Sequence, residues 1–70
     1  MPEMALSRLG QELHVREGER QGVFDADTGI RVRGDLELEP DEVLYLAWRQ
    51  TQSPRLSEAT LRARWESHRS

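Results

Sequence analysis

The segment Val23-Phe24-Asp25-Ala26-Asp27-Thr28-Gly29-Ile30-Arg31-Val32-Arg33 constrains this chain more than any other. Apolar and polar residues alternate on both sides of Asp27-Thr28-Gly29, and alternation is the signature of a half-buried strand. A three-residue hairpin loop needs a left-handed residue at its last position, and Gly29 stands there. That register sets Ala26 opposite Ile30, Asp25 opposite Arg31 and Phe24 opposite Val32. A second loop at Arg33-Gly34-Asp35 then pairs Val32 with Leu36, Arg31 with Glu37 and Ile30 with Leu38. One face collects Phe24, Ala26, Ile30, Val32, Leu36 and Leu38. The other carries an Asp25–Arg31–Glu37 row.

Upstream, Leu13 and Val15 alternate with His14 and Arg16 and predict a first strand, and Glu17 to Gly22 reads as a polar loop. Residues 1–11 are weakly patterned, which predicts a poorly ordered N-terminus or a short helix around Met4–Leu9. Downstream, Pro40 suits a first helical position, and Asp41 and Glu42 suit the positive end of the helix dipole. Val43, Leu44, Ala47 and Trp48 make an apolar stripe in a helix over 41–50. Ser57 then caps a second helix whose narrow stripe is Leu61 and Trp65. Leu38 before the first helix and Leu56 before the second are placed to staple onto Val43 and Leu61. The expected architecture is α+β: an antiparallel three- to four-stranded β-meander followed by two helices packed on its apolar face. Residues 12–68 form a single domain in this reading.

Composition removes most catalytic chemistry. Every one of the ten basic residues is arginine and there is no cysteine, so lysine Schiff bases, P-loop lysines, thiol nucleophiles, disulfides and thiolate metal sites are all excluded. The two histidines, His14 and His68, do not stand at metal-ligand spacing, and no serine or paired carboxylate sits beside either at a diagnostic interval. Asp25 to Gly29 is a turn rather than a calcium loop, since that loop needs a ligand at Gly29 and a glycine at Ile30. Arg33-Gly34-Asp35, a tripeptide read by some cell-surface receptors, is here a hairpin loop. No catalytic residue, cofactor site or metal site is expected, and the chain is not expected to be an enzyme. The absence of an apolar run of membrane-spanning length and of a signal pattern points to a cytoplasmic setting without a membrane.

Charge is uneven. Residues 1–42 hold eleven acids against five arginines, while residues 43–70 hold Arg49, Arg55, Arg62, Arg64 and Arg69 against Glu58 and Glu66. An acidic front and a basic tail suit either a protein partner, including self-association of unlike halves, or an anionic partner at the C-terminal end. Tyr45 lies off the Val43/Ala47 line and is expected to be partly exposed. Candidate contacts for a protein or nucleic-acid partner are therefore Tyr45, Arg49, Arg55, Arg62, Arg64 and Arg69.

The stretch Leu36-Glu37-Leu38-Glu39-Pro40-Asp41-Glu42-Val43-Leu44-Tyr45-Leu46 resembles the strand-to-helix segment of the amino-terminal domain of tRNA-splicing endonucleases. There a leucine-rich strand runs into a helix ending in a Glu-Ala-Leu-Tyr-Leu type motif, and Val43 stands here where that family usually has alanine. The likeness spans about residues 10–62. In that family the catalytic tyrosine, histidine and lysine belong to a separate carboxy-terminal domain, so the resemblance implies a non-catalytic module that supports assembly or contacts RNA. The leading expectation is a small interaction or assembly module. The alternative takes residues 41–65 as a helix-turn-helix, similar to the recognition-helix region of excisionase-like winged-helix regulators, with Ser57, Thr60, Arg62 and Arg64 facing nucleic acid.

Overall fold

Four strands followed by two helices make up the computed structural model, which describes residues 4–69. The strands are β1 (Met4–Leu9), β2 (Glu12–Glu17), β3 (Arg20–Asp25) and β4 (Arg31–Gly34); the helices are α1 (Pro40–Arg49) and α2 (Glu58–Arg69). The sheet runs in chain order with every neighbour antiparallel. The fold is α+β, a meander with its helices after it.

The N-terminal segment is a strand, not the short helix or poorly ordered stretch expected of residues 1–11; residues 1–3 lie outside the described residues. Its cause is a turn too short to look like one. Leu9 pairs with Glu12 across Gly10-Gln11, and Gly10 adopts φ 61°. A two-residue hairpin turn with glycine first matches the twist of its flanking strands. Gly18-Glu19 repeats the device with φ 63° at Gly18, so the expected polar loop over 17–22 shrinks to two residues between Glu17 and Arg20. Leu6 of β1 then falls opposite Val15 and shares its face.

The central hairpin departs from the expected register by one residue. The Asp25 carboxylate accepts the N–H groups of Asp27 and Thr28 at 2.8 and 3.1 Å, and Gly29, at φ 79°, donates to the Asp25 carbonyl at 2.8 Å. These bonds close the loop on Asp25 and Ile30 instead of Ala26 and Ile30, with Asp25 N–H donating to Ile30 O at 2.8 Å. A one-residue slip turns side chains to the opposite face. Phe24 therefore pairs with Arg31 and Val23 with Arg33, leaving Val32 as an extra residue in a bulge. Ile30 and Val32, expected in the core, are 61% and 55% exposed. The Asp25–Arg31–Glu37 row does not form, since Asp25 is engaged in its own turn and Arg31 Nη1 donates to Leu36 O at 3.4 Å.

Among the described residues no strand follows β4. The N–H groups of Asp35 and Leu36 both donate to Gln21 O, at 2.9 and 3.1 Å, so the chain turns inward where a hairpin was expected. Leu36 is buried and Leu38 is half-buried against the core.

Leu13, Val15 and Phe24 line one face of the sheet. Over them lie Val43, Tyr45, Leu46 and Ala47 of α1 and Leu61 and Trp65 of α2, completed by Ala26 and Leu36 from the connections. Fully burying an aliphatic or aromatic side chain contributes ~1.5–3 kcal/mol, so this layer contact is what holds helices to sheet. Pro40 opens α1 as expected, and the Ser57 hydroxyl accepts Thr60 N–H at 3.2 Å to cap α2. Leu38 and Leu56, two residues before the first residue of each helix, both pack on the core.

Candidate functional site

The helix surface was expected to carry the contact residues, and most of its cations are already engaged. Tyr45 is 0% exposed, which corrects its expected place at the surface. The reason is α2, which packs along the flank of α1 that a lone amphipathic helix would leave open. The Tyr45 hydroxyl donates to Glu58 Oε1 at 2.9 Å, and its ring meets Trp65 edge-on at 5.9 Å between centroids. The Arg62 guanidinium lies 3.8 Å above the Tyr45 ring centroid and forks onto Glu42 at 3.0 and 3.3 Å. Its Nε reaches Glu58 at 3.1 Å, while Arg49 takes the other Glu58 oxygen at 3.2 Å. Arg69 pairs with Asp41 at 3.2 Å.

This network clips α1 to α2 and perturbs its members. Burial, reinforced by the bond to Glu58, raises the Tyr45 phenol above its ordinary range. For Glu58, burial works upward but is outweighed by the Tyr45 hydroxyl, Arg49 and Arg62, and its carboxyl falls below the usual value. The hydrogen bonds to Glu42 raise Arg62. Of the six expected contact residues, only Arg55 and Arg64 have side chains without an ion-pair or hydrogen-bond partner among the described residues. Trp48, half-buried, and exposed His68 continue the ring cluster at 5.5 and 5.7 Å from Trp65.

The outer face of the sheet, turned from the helices, is polar. Arg33 forks onto Glu12 at 3.1 and 3.3 Å, and His14 Nε2 lies 3.3 Å from Glu12 Oε1. The Arg33 bond holds the Glu12 carboxyl below its usual range. Ser7 stands opposite His14 in the β1–β2 register, so hydroxyl, imidazole and carboxylate follow one another across the face. Among the described residues no hydrogen bond joins Ser7 to His14, whose Nε2 lies against Glu12. Nor do three metal-ligating side chains converge anywhere among the described residues. A larger hollow of about 810 Å³ at the start of α1 is rimmed by Glu37, Glu39, Asp41 and Glu42, two of them already tied to Arg69 and Arg62.

The sheet ends are unlike each other. β4 is four residues long, bulged at Val32 and flanked by Arg31 and Arg33. β1 is six residues long, regular, without proline or bulge, and exposed except at half-buried Leu6. Short, bulged, charged strands discourage further pairing, whereas a long regular edge invites it. Sequence reasoning missed β1, although Met4-x-Leu6 before a Gly-X turn was a signal that could have found it.

Comparison with protein-family models, with curated proteins and with solved structures found no match. Among the described residues no helix is long and apolar enough to cross a membrane.

Proposed function

We propose that this domain is a non-catalytic interaction module that joins a larger assembly through its sheet. The observation that carries the reading is β1, an exposed regular edge with unpaired backbone groups beside the blunted edge of β4. A non-catalytic role is also what the resemblance of residues 36–46 to the amino-terminal domain of tRNA-splicing endonucleases implies. The alternative, nucleic-acid recognition through α2, draws less support from the geometry. Affinity for phosphates rests on free cations, and Arg49, Arg62 and Arg69 neutralise Glu58, Glu42 and Asp41 instead.

Site-directed photocrosslinking tests the reading. The chain has no cysteine, so Ser7→Cys on β1 and Arg64→Cys on α2 each accept a single benzophenone label. The expected result in the native host is a protein adduct from position 7 and none from position 64. Adducts formed only from position 64, or with nucleic acid, overturn it.

A further inference from the structure

The β1 edge fits one particular occupant, and the argument rests on the interaction-module reading above. Leu9 and Glu12 close the two-residue turn, and the pair closing such a turn exchanges both backbone hydrogen bonds. Alternation along the ladder makes Ser7–His14 and Ala5–Arg16 the other hydrogen-bonded pairs. The N–H and C=O groups of Met4, Leu6 and Arg8 therefore point away from β2 into the open edge.

We propose that a second copy of this chain pairs with this edge, β1 antiparallel to β1, about a two-fold axis through Leu6. In that register Leu6 faces the second copy's Leu6, Met4 faces Arg8, and Ala5 faces Ser7. Every outward backbone group of Met4, Leu6 and Arg8 meets an outward partner, so the edge is complementary to itself. Length and charge select this register over its two neighbours: centring on Ala5 pairs only Met4–Leu6 of each strand and leaves Arg8 outside the ladder, and centring on Ser7 gathers the cations. That second shift sets Leu6 against Arg8 and brings the two Arg8 side chains onto diagonal positions, whereas pairing about Leu6 holds them at opposite ends of the strand.

The helix side of the edge supplies the apolar seat. A depression of about 480 Å³ beside β1 is lined by Met4, Leu6, Leu56 and Leu61, with Arg49 and Pro54 on its rim. Residues opposite one another in an antiparallel pair share a face at ~5 Å. The second copy's Leu6 thus arrives beside Leu6 at the mouth of this depression, and both helix layers lie on one side of a continuous sheet. Growth stops at two copies. Head-to-tail addition would need β1 to pair with β4, and the bulge at Val32 breaks the ladder that β4 could offer.

Sedimentation equilibrium on the full chain tests this directly. The expected particle has twice the 8.1 kDa chain mass, in reversible exchange with monomer. The Leu6 nitrogen points away from β2, so Leu6→Pro keeps the intrachain ladder and raises the dimer Kd about thirtyfold or more, with unchanged circular dichroism. Register is read separately and does not depend on that variant folding. An equimolar mixture of Ala5→Cys chains and Ser7→Cys chains gives a mixed disulfide-linked dimer on mild oxidation while neither variant alone does, because only pairing about Leu6 sets position 5 against position 7 as a close, non-hydrogen-bonded pair. Ala5→Cys chains mixed with Leu9→Cys chains do not. A monomer at every concentration up to the solubility limit, or a dimer linked only by the second pair, overturns the proposal. A monomer whose labelled position 7 captures a different protein overturns self-pairing alone; capture confined to position 64 overturns the interaction reading beneath it.

Discussion

Tyr45 shows how much one residue can tie together. Its ring fills the space between α1 and α2, its hydroxyl reaches Glu58, and Arg62 lies over its face. Removing only the oxygen isolates the polar part of that arrangement. Tyr45→Phe is expected to cost about 1 kcal/mol in urea unfolding at neutral pH, the usual net worth of one hydrogen bond, rising somewhat for a charged acceptor. The same variant moves the Glu58 carboxyl upward, since it loses a donor that stabilises its ionised form. An NMR titration of Glu58 unchanged in Tyr45→Phe would detach the hydroxyl from the network. The exposed pairs around it contribute ~0.2–1 kcal/mol each, so Arg69→Ala is expected to cost less than Tyr45→Phe in the same assay.

At the scale of elements, caps and turns decide where structure begins. Ser57 accepts Thr60 N–H and precedes a helix with only Leu61 and Trp65 buried, so α2 depends on its cap more than an apolar helix would. Ser57→Ala is expected to cost ~1 kcal/mol and to fray the first turn of α2, visible as faster amide exchange at Thr60; unchanged exchange there would contradict the role. This cap, Pro40 and the two leucines before the helices were legible in the sequence because each acts within a few residues of itself. The strand pairing was less so. The alternation from Val23 to Arg33 announced a hairpin, and Gly29 announced its left-handed residue. The register still turned on the Asp25 side chain, which can close the loop one residue earlier than apolar matching suggests. β1 was missed for a related reason: six residues without strict alternation carry a weak signal, and their pairing depends on a two-residue turn.

For the molecule as a whole, linkage to pH follows from the perturbed groups. Glu58 and Glu12 titrate below their unfolded-state values in the native chain. Their stabilisation is fully present above a reference pKa of ~4.3 and is lost as pH falls through the lower native values. Tyr45 is raised, so its contribution is complete below ~10 and is lost as pH climbs through the higher native value. The expected stability curve is a plateau with an acid limb and an alkaline limb, and Tyr45→Phe removes part of the alkaline one. A variant curve that superimposes on the wild type above pH ~10 would rule that out. The paired arginines also set an expectation for nucleic acid: Arg49→Ala and Arg62→Ala leave any low-salt retention of duplex DNA within about twofold of wild type, measured by fluorescence anisotropy. A steep loss would restore the α2 reading.

Local patterning in the sequence determined the α+β class, the order of strands before helices, both helix starts and the apolar identity of the layer between them. These follow from alternation, capping and dipole preferences that operate over a few residues. Only the tertiary structure decided that Tyr45 is enclosed, that Ile30 and Val32 face water, and that β1 ends the sheet with its backbone open. The enclosure of Tyr45 and the open edge of β1 depend on which element packs beside which, fixed by contacts between residues far apart along the chain. The exposure of Ile30 and Val32 follows from a local choice, the Asp25 carboxylate closing the turn, that apolar alternation does not announce.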